Sequence, residues 1–277
     1  MTGVLLGPGE LAEAFAWDGP EMAALLAGEG TGGPVESALA SADAVVGYTR
    51  SASVLDALAR RVRRLVARDP APPAGGPHAS LGLAAALGPL GIGVAPAPEP
   101  LRFTEAEALE AGAATSRLPP GFLAVHPGSG SPVKNWPSDR FVEAARRLAS
   151  GQPWLLVLGP AEDGLVVPDG VATPCGRLPE PSPSLGNAVV ARGLPLRRLA
   201  AVLSRAGLYL GNDGGASHLA AACGTRTLAL FGPTDPAQWS PVGPAVRTLR
   251  SSTGRLDDLG VDEVVAAARA LSSKAIR

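Results

Sequence analysis

The sequence predicts an α/β protein whose second half is a doubly wound parallel sheet. Two observations carry this. In the second half, apolar segments of strand length alternate with amphipathic segments of helical period, the pattern of parallel sheets covered by helices on both faces. In that same half, turn-rich loops follow the apolar segments at Gly128-Ser129-Gly130, Gly159-Pro160 and Gly211-Asn212-Asp213-Gly214-Gly215. Parallel sheets gather their ligand loops at the strand ends where these turns fall.

From the N-terminus, Val4 to Leu6 and Ala44 to Val46 read as short apolar segments, and Leu11 to Trp17 and Glu21 to Ala27 as small-residue helices. Ala42 to Tyr48 has the character of a buried parallel strand. Val54, Leu55, Leu58, Val62, Leu65 and Val66 keep helical spacing, which predicts one amphipathic helix over 54–67. Arg60, Arg61, Arg63, Arg64 and Arg68 then fall on or beside its polar face. Such a run is ordinarily a solvated face; peripheral contact with a membrane surface is the other reading. Pro70, Pro72 and Pro73 break the pattern, and His78 opens a further helix as its cap or by packing. Proline-rich loops at 95–100 and 115–121 flank a short strand and a short acidic segment. They put a domain boundary near Leu118 to Gly121, giving domains of residues 1–118 and 119–277.

The second domain is more regular. Strands are expected at Phe122 to Val125, Trp154 to Leu158, Leu208 to Leu210 and Thr227 to Phe231. Helices are expected at Ser138 to Ala149, Leu196 to Arg205, Ala216 to Cys223 and Val261 to Leu271.

Composition excludes several classes. A chain of 277 residues, 46% hydrophobic, is long enough for two ordinary cores. Its net charge of −1 lacks the basic footprint of a nucleic-acid binder, so any anion site must be local. Two cysteines, Cys175 and Cys223, without metal-ligand spacing, fit a reducing cytosol and no structural zinc. The first residues have neither a basic n-region nor a long apolar run, so neither signal peptide nor membrane span is expected.

The loop residues suggest a phosphate site. Glycines at 211, 214 and 215 let backbone approach a ligand, and the helix behind them offers unpaired N–H groups and a partial positive charge. Asn212 or Asp213 could instead simply cap that helix. Of 24 basic residues only Lys134 and Lys274 are lysine, and Lys134 lies in the turn-rich loop after the strand at 122–125. Loop N–H groups, serine hydroxyls, the Lys134 ammonium and the helix start could together hold a diphosphate without a metal. Glu162 is suitably acidic for a ribose diol.

The segments HPGSGSPVKNWP (126–137) and GNDGGASHLAAACGTRTLALFGPTDPAQWSP (211–241) resemble the two signature segments of glycosyltransferase family 9, the heptosyltransferase-like enzymes. The resemblance covers about Phe122 to Pro241. It implies a GT-B architecture, two doubly wound domains facing across a cleft, with the nucleotide-sugar donor held mainly by the second. It further implies that Ser129, Gly130 and Lys134 approach the donor diphosphate, that Glu162 meets the ribose and that Leu194 lies by the base. Asp213, Gly214, Gly215 and His218 would form the phosphate end, with Thr234 and Asp235 near the sugar. Members use no metal or other cofactor, so the helix start and Lys134 would stabilise the leaving diphosphate. The implied reaction is an inverting transfer of a heptose-like sugar to a saccharide or lipid-linked saccharide, in the cytoplasm or at the inner face of the membrane.

The first half departs from the family pattern. Members begin with a strand and glycine-rich loop ending in an acid that acts as general base; the nearest match, Leu6-Gly7-Pro8-Gly9-Glu10, makes Glu10 the base. A second alignment sets Val4 to Trp17 against a later strand and helix, which removes the base loop and leaves a nucleotide-sugar-binding relative without turnover. A first domain of 118 residues is short beside the roughly 150 of a doubly wound domain, in keeping with that alignment. A sugar-nucleotide epimerase would want more acid/base side chains than the chain's three histidines suggest. A dehydrogenase is disfavoured because no Gly-x-Gly-x-x-Gly follows a first strand.

Overall fold

The computed structural model describes residue 13 and residues 15–94, 99–159 and 185–273. By packing, these fall into two compact units, one ending at Pro96 and the other beginning at Ala97.

The N-terminal unit holds α1 (Pro20–Leu26), α2 (Pro34–Ser41), β1 (Val45–Tyr48), α3 (Ala52–Ala59), β2 (Leu65–Arg68) and α4 (Ala79–Ala84). Prolines at the first position open α1 and α2, where the missing N–H costs nothing. His78 caps α4, its Nδ1 accepting the Ser80 N–H at 3.3 Å. β1 and β2 pair in parallel, Val45 opposite Leu65. The single helix expected over 54–67 is therefore a helix followed by a strand. Its apolar spacing suits a helix locally, but Leu65 and Val66 gain more by pairing with β1 than by extending α3. Arg61 marks the stop, its Nη1 donating to the Ala57 carbonyl at 3.1 Å. The arginines consequently share no helix face: Arg60 is the C-cap of α3, Arg68 lies in β2, and Arg64 donates to the Pro89 carbonyl. The helix expected over 11–17 does not form at Phe15 to Trp17, and the apolar segment at Val4 to Leu6 lies outside the described residues.

The C-terminal unit comprises α5 (Glu105–Ala114), β3 (Leu123–His126), α6 (Ser138–Ala149), β4 (Trp154–Leu158), β5 (Ala188–Arg192), α7 (Leu196–Leu203), β6 (Leu208–Asn212), α8 (Gly215–Ala222), β7 (Thr227–Phe231), α9 (Pro236–Trp239), β8 (Val246–Arg250) and α10 (Val261–Ser272). Six strands form one sheet in the order β5-β4-β3-β6-β7-β8, every pair parallel. Side chains alternate across it. Leu123, Val125, Trp154, Leu156, Leu208 and Leu210 meet α6 and α10 on one face. Ala124, Leu155, Val157, Val189 and Tyr209 meet α5, α7 and α8 on the other. Burial on both faces explains the near-continuous apolar strands.

Residues 99–118 belong to this unit, so the break expected near 118–121 falls inside it. The Leu101 N–H bonds to the Ala222 carbonyl at 2.8 Å, and Leu101 and Phe103 pack on the core beneath α5 and α7. A reciprocal cap fixes the start of α5: Thr104 Oγ1 accepts the Glu107 N–H, and Glu107 Oε2 accepts the Thr104 N–H at 2.8 Å. Arg197 of α7 closes the contact, Nε to Glu107 Oε1 at 2.8 Å, while its guanidinium sits 4.9 Å from the Phe103 ring centroid.

The Arg197 hydrogen bonds first, then the Thr104 N–H, hold the Glu107 carboxyl down to about 2. A carboxyl whose folded value is depressed stabilises the fold above its unfolded value, and that contribution disappears as pH falls from about 4.5 toward 2. Glu107→Gln is expected to cost on the order of 1–3 kcal/mol near neutral pH and nothing once the carboxyl is protonated. Urea unfolding of both proteins across that range measures it; a pH-independent difference would contradict this account.

Candidate functional site

Strand order creates the site. From β3 the chain passes to β4 on one side, whereas β6 lies on the other, so the loops leaving β3 and β6 run apart and open a crevice at their C-terminal ends. The loop of residues 127–136 leaves β3, Asp213 and Gly214 leave β6, and Gly232 to Asp235 leave β7.

At the centre, Lys134 Nζ lies 3.0 Å from Asp213 Oδ2, and the Thr234 hydroxyl donates to the same oxygen at 2.7 Å. Asp213 is only 6% exposed, and two donors hold its charge there; the Lys134 side chain keeps 31% of its surface open. An ammonium has three N–H donors, and one is spent on Asp213. Beside it α8 begins. Its N-cap, Gly214, is extended and no side chain caps the helix; the Ser217 N–H bonds back to the Gly214 carbonyl at 3.1 Å, and Gly215, at the positive end of the dipole, is exposed. A Cβ at Gly215 or at Gly130 would meet nothing within 4 Å, whereas one at Gly214 would touch Ser129 Cβ at 3.5 Å. The two loops thus lie against each other with glycine surfaces open on the ligand side. A cation, a free helix start and bare backbone suit a phosphate-bearing ligand.

The remaining candidates are distributed as follows. Ser129 directs its hydroxyl to the Ser131 carbonyl at 2.8 Å, closing its own loop. His218 is exposed on the first turn of α8. Leu194 follows β5 and packs against the core under α7. Asp235 caps α9, accepting the Ala237 N–H at 3.1 Å, and pairs with Arg250 Nη1 at 3.5 Å. His126 turns the end of β3 by bonding Nδ1 to the Val157 carbonyl at 2.9 Å. Glu10 and Glu162 lie outside the described residues.

One residue was legible only as a helix cap. Asn212, 1% exposed, accepts the Trp136 N–H on Oδ1 at 3.0 Å and donates from Nδ2 to the Pro127 carbonyl at 2.6 Å. It caps nothing. An asparagine before Asp-Gly signals a turn in sequence, and only the neighbouring β3 loop reveals what its amide holds. Trp136 itself is fully buried; its indole N–H reaches the Leu259 carbonyl at 3.1 Å, and its ring stands edge-on to Phe141, centroids 4.9 Å apart.

The family model described as Glycosyltransferase family 9 (heptosyltransferase) matches residues 79–265. Lipopolysaccharide heptosyltransferase 3 of Escherichia coli K12 is 31% identical over 121 residues, 43% of this chain and 33% of that protein. The matched segment thus spans about a third of the length of that curated relative. Among solved structures, a family 9 glycosyl transferase from Veillonella parvula superposes with a TM-score of 0.69 at 20% identity, over 91% of this chain and 78% of its own. E. coli ADP-heptose lps heptosyltransferase II gives 0.66 at 17% identity, over 91% and 81%. E. coli heptosyltransferase WaaC with ADP gives 0.61 at 20% identity, over 92% and 80%.

Proposed function

We infer the activity of this chain from its family: it belongs to glycosyltransferase family 9, and its C-terminal unit carries a phosphate-suited crevice at the sheet's switch point. We propose that it transfers a heptose-like sugar, with inversion and without metal, from a nucleoside diphosphate donor to a saccharide or lipid-linked saccharide. The observation that carries this is the meeting of the Lys134 ammonium with the uncapped start of α8. Adenosine diphosphate is the nucleotide named for the WaaC structure, and an ADP-sugar is accordingly the first donor to try.

In this reading the diphosphate lies between Lys134 and the first N–H groups of α8. As the bond from the sugar's anomeric carbon to the diphosphate oxygen breaks, negative charge grows on that oxygen, where these fixed donors stabilise it. Asp213 and Thr234 keep the ammonium at this spot. The acceptor hydroxyl attacks from the opposite face and gives its proton to a carboxylate, a role the family resemblance implies for Glu10. Glu162 would take the ribose and Leu194 the side of the base. A lipid-linked acceptor would bring the enzyme to the inner face of a membrane; among the described residues no helix is long and apolar enough to cross one.

A binding relative without turnover is the second reading, and the family match favours it in one respect: it begins at residue 79, leaving the segment around Glu10 unmatched. Calorimetry with ADP and an ADP-heptose transfer assay separate the two. The enzyme reading expects binding plus acceptor-dependent ADP release, with Glu10→Ala removing release but not binding. Binding with no release from any acceptor supports the second reading, and no affinity for any common nucleoside diphosphate defeats both.

A further inference from the structure

We infer that Asn212 is a positioning residue of the donor site: its side-chain amide fastens both ends of the loop that carries Ser129 and Lys134, and thereby sets where the Lys134 ammonium stands. This rests on the donor-site reading above. Pro127 and Trp136 bracket residues 128–135, and one planar group binds both, donating to the Pro127 carbonyl at 2.6 Å and accepting the Trp136 N–H at 3.0 Å. A carbonyl on one side and an N–H on the other force the amide's orientation. The same Nδ2 lies 3.5 Å from Asn135 Oδ1, beside Lys134 in the chain.

The clamp is itself held. Asn212 ends β6, paired opposite Leu230 of β7, and its carbonyl accepts the Ser217 hydroxyl from α8. The next residue is Asp213, which grips the Lys134 ammonium. Two consecutive residues therefore fix Lys134, one through the loop's backbone and one through its charge. No other side chain of this size serves both ends. Aspartate has no donor for the Pro127 carbonyl and would set a second carboxylate beside Asp213; leucine supplies neither bond.

The test uses the whole chain with Asn212→Ala, Asn212→Asp, Lys134→Ala and the double variant Asn212→Ala/Lys134→Ala. Amide hydrogen exchange over 128–135 is expected to rise about tenfold or more in Asn212→Ala, where both buried partners lose their bonds, and also to rise, though less, in Asn212→Asp, where the Pro127 carbonyl alone loses its donor, with the rest of the sheet little changed. ADP affinity measured by calorimetry on folded protein is expected to fall about tenfold in Asn212→Ala, yet to change little when Lys134→Ala is already present. Residues acting through one group are not additive. Unchanged exchange at 128–135, unchanged ADP affinity, or a loss that adds fully to that of Lys134→Ala overturns the assignment. A wild-type chain that binds no nucleoside diphosphate while its loop exchange still responds to Asn212 overturns the donor-site reading instead, and with it the donor role of the clamp.

Discussion

Lys134→Ala is expected to lower kcat/KM for the nucleotide-sugar donor by about 10²–10³-fold, the usual cost of removing one preorganised donor from a site of developing charge. The variant carries a second penalty. Asp213, 6% exposed, would keep only the Thr234 hydroxyl, and stranding one member of a largely buried ion pair costs more than the pair contributes. Lys134→Ala/Asp213→Asn separates the effects, because the neutral amide needs no counter-charge. The double variant should recover most of the lost thermal stability and none of the lost turnover. Recovery of turnover would show that Lys134 serves the fold rather than the donor.

Trp136→Ala is expected to destabilise the C-terminal unit by about 3–5 kcal/mol, the range for deleting a buried aromatic. At roughly 2–4 °C per kcal/mol for a unit of this size, its melting transition should fall by about 6–20 °C. The loss comes from volume rather than from the indole hydrogen bond, since the Leu259 carbonyl also accepts Arg140 Nη1 at 3.0 Å. Trp136→Phe, which keeps a six-membered ring but loses the N–H and part of the indole's volume, should therefore cost less than Trp136→Ala. Equal melting temperatures for the Phe and Ala variants would reverse that ranking.

Much of the C-terminal unit is legible in the sequence. The helix over Ser138–Ala149 and the strands Trp154–Leu158 and Thr227–Phe231 run between the expected residues because local period and burial agree there. β8 carries no local strand signal: Val246–Arg250 is an edge strand with two arginines, and only pairing with β7 makes it a strand. α5 reads by composition as a short acidic segment, although Thr104-Glu105-Ala106-Glu107 is a readable capping box. In the N-terminal unit, helical spacing over 54–67 misled because a strand pairing from twenty residues away decided the second half.

The candidate site divides in the same way. Lys134 stands out as one of two lysines and the start of α8 by its glycines, and the fold sets Lys134 against Asp213 just before that helix. That β3 and β6 are neighbours is a matter of winding order, which no local pattern encodes. The fastening by Asn212 and the use of Thr234 as a partner of Asp213 depend on that adjacency and so stayed hidden.

The pairing of β3 with β6 also bears on synthesis. His126 stands opposite Gly211, and everything between them must be made before that edge of β3 finds its partner. Closing so long a loop is slow relative to local structure, and until it closes β3 presents an apolar, unpaired edge. A growing chain contains the Lys134 loop first and gains Asp213, 79 residues further on, and α8 only afterwards. Affinity for the donor proposed above would then appear only once β3 and β6 pair, making ligand capture a marker of that pairing rather than a guide to it.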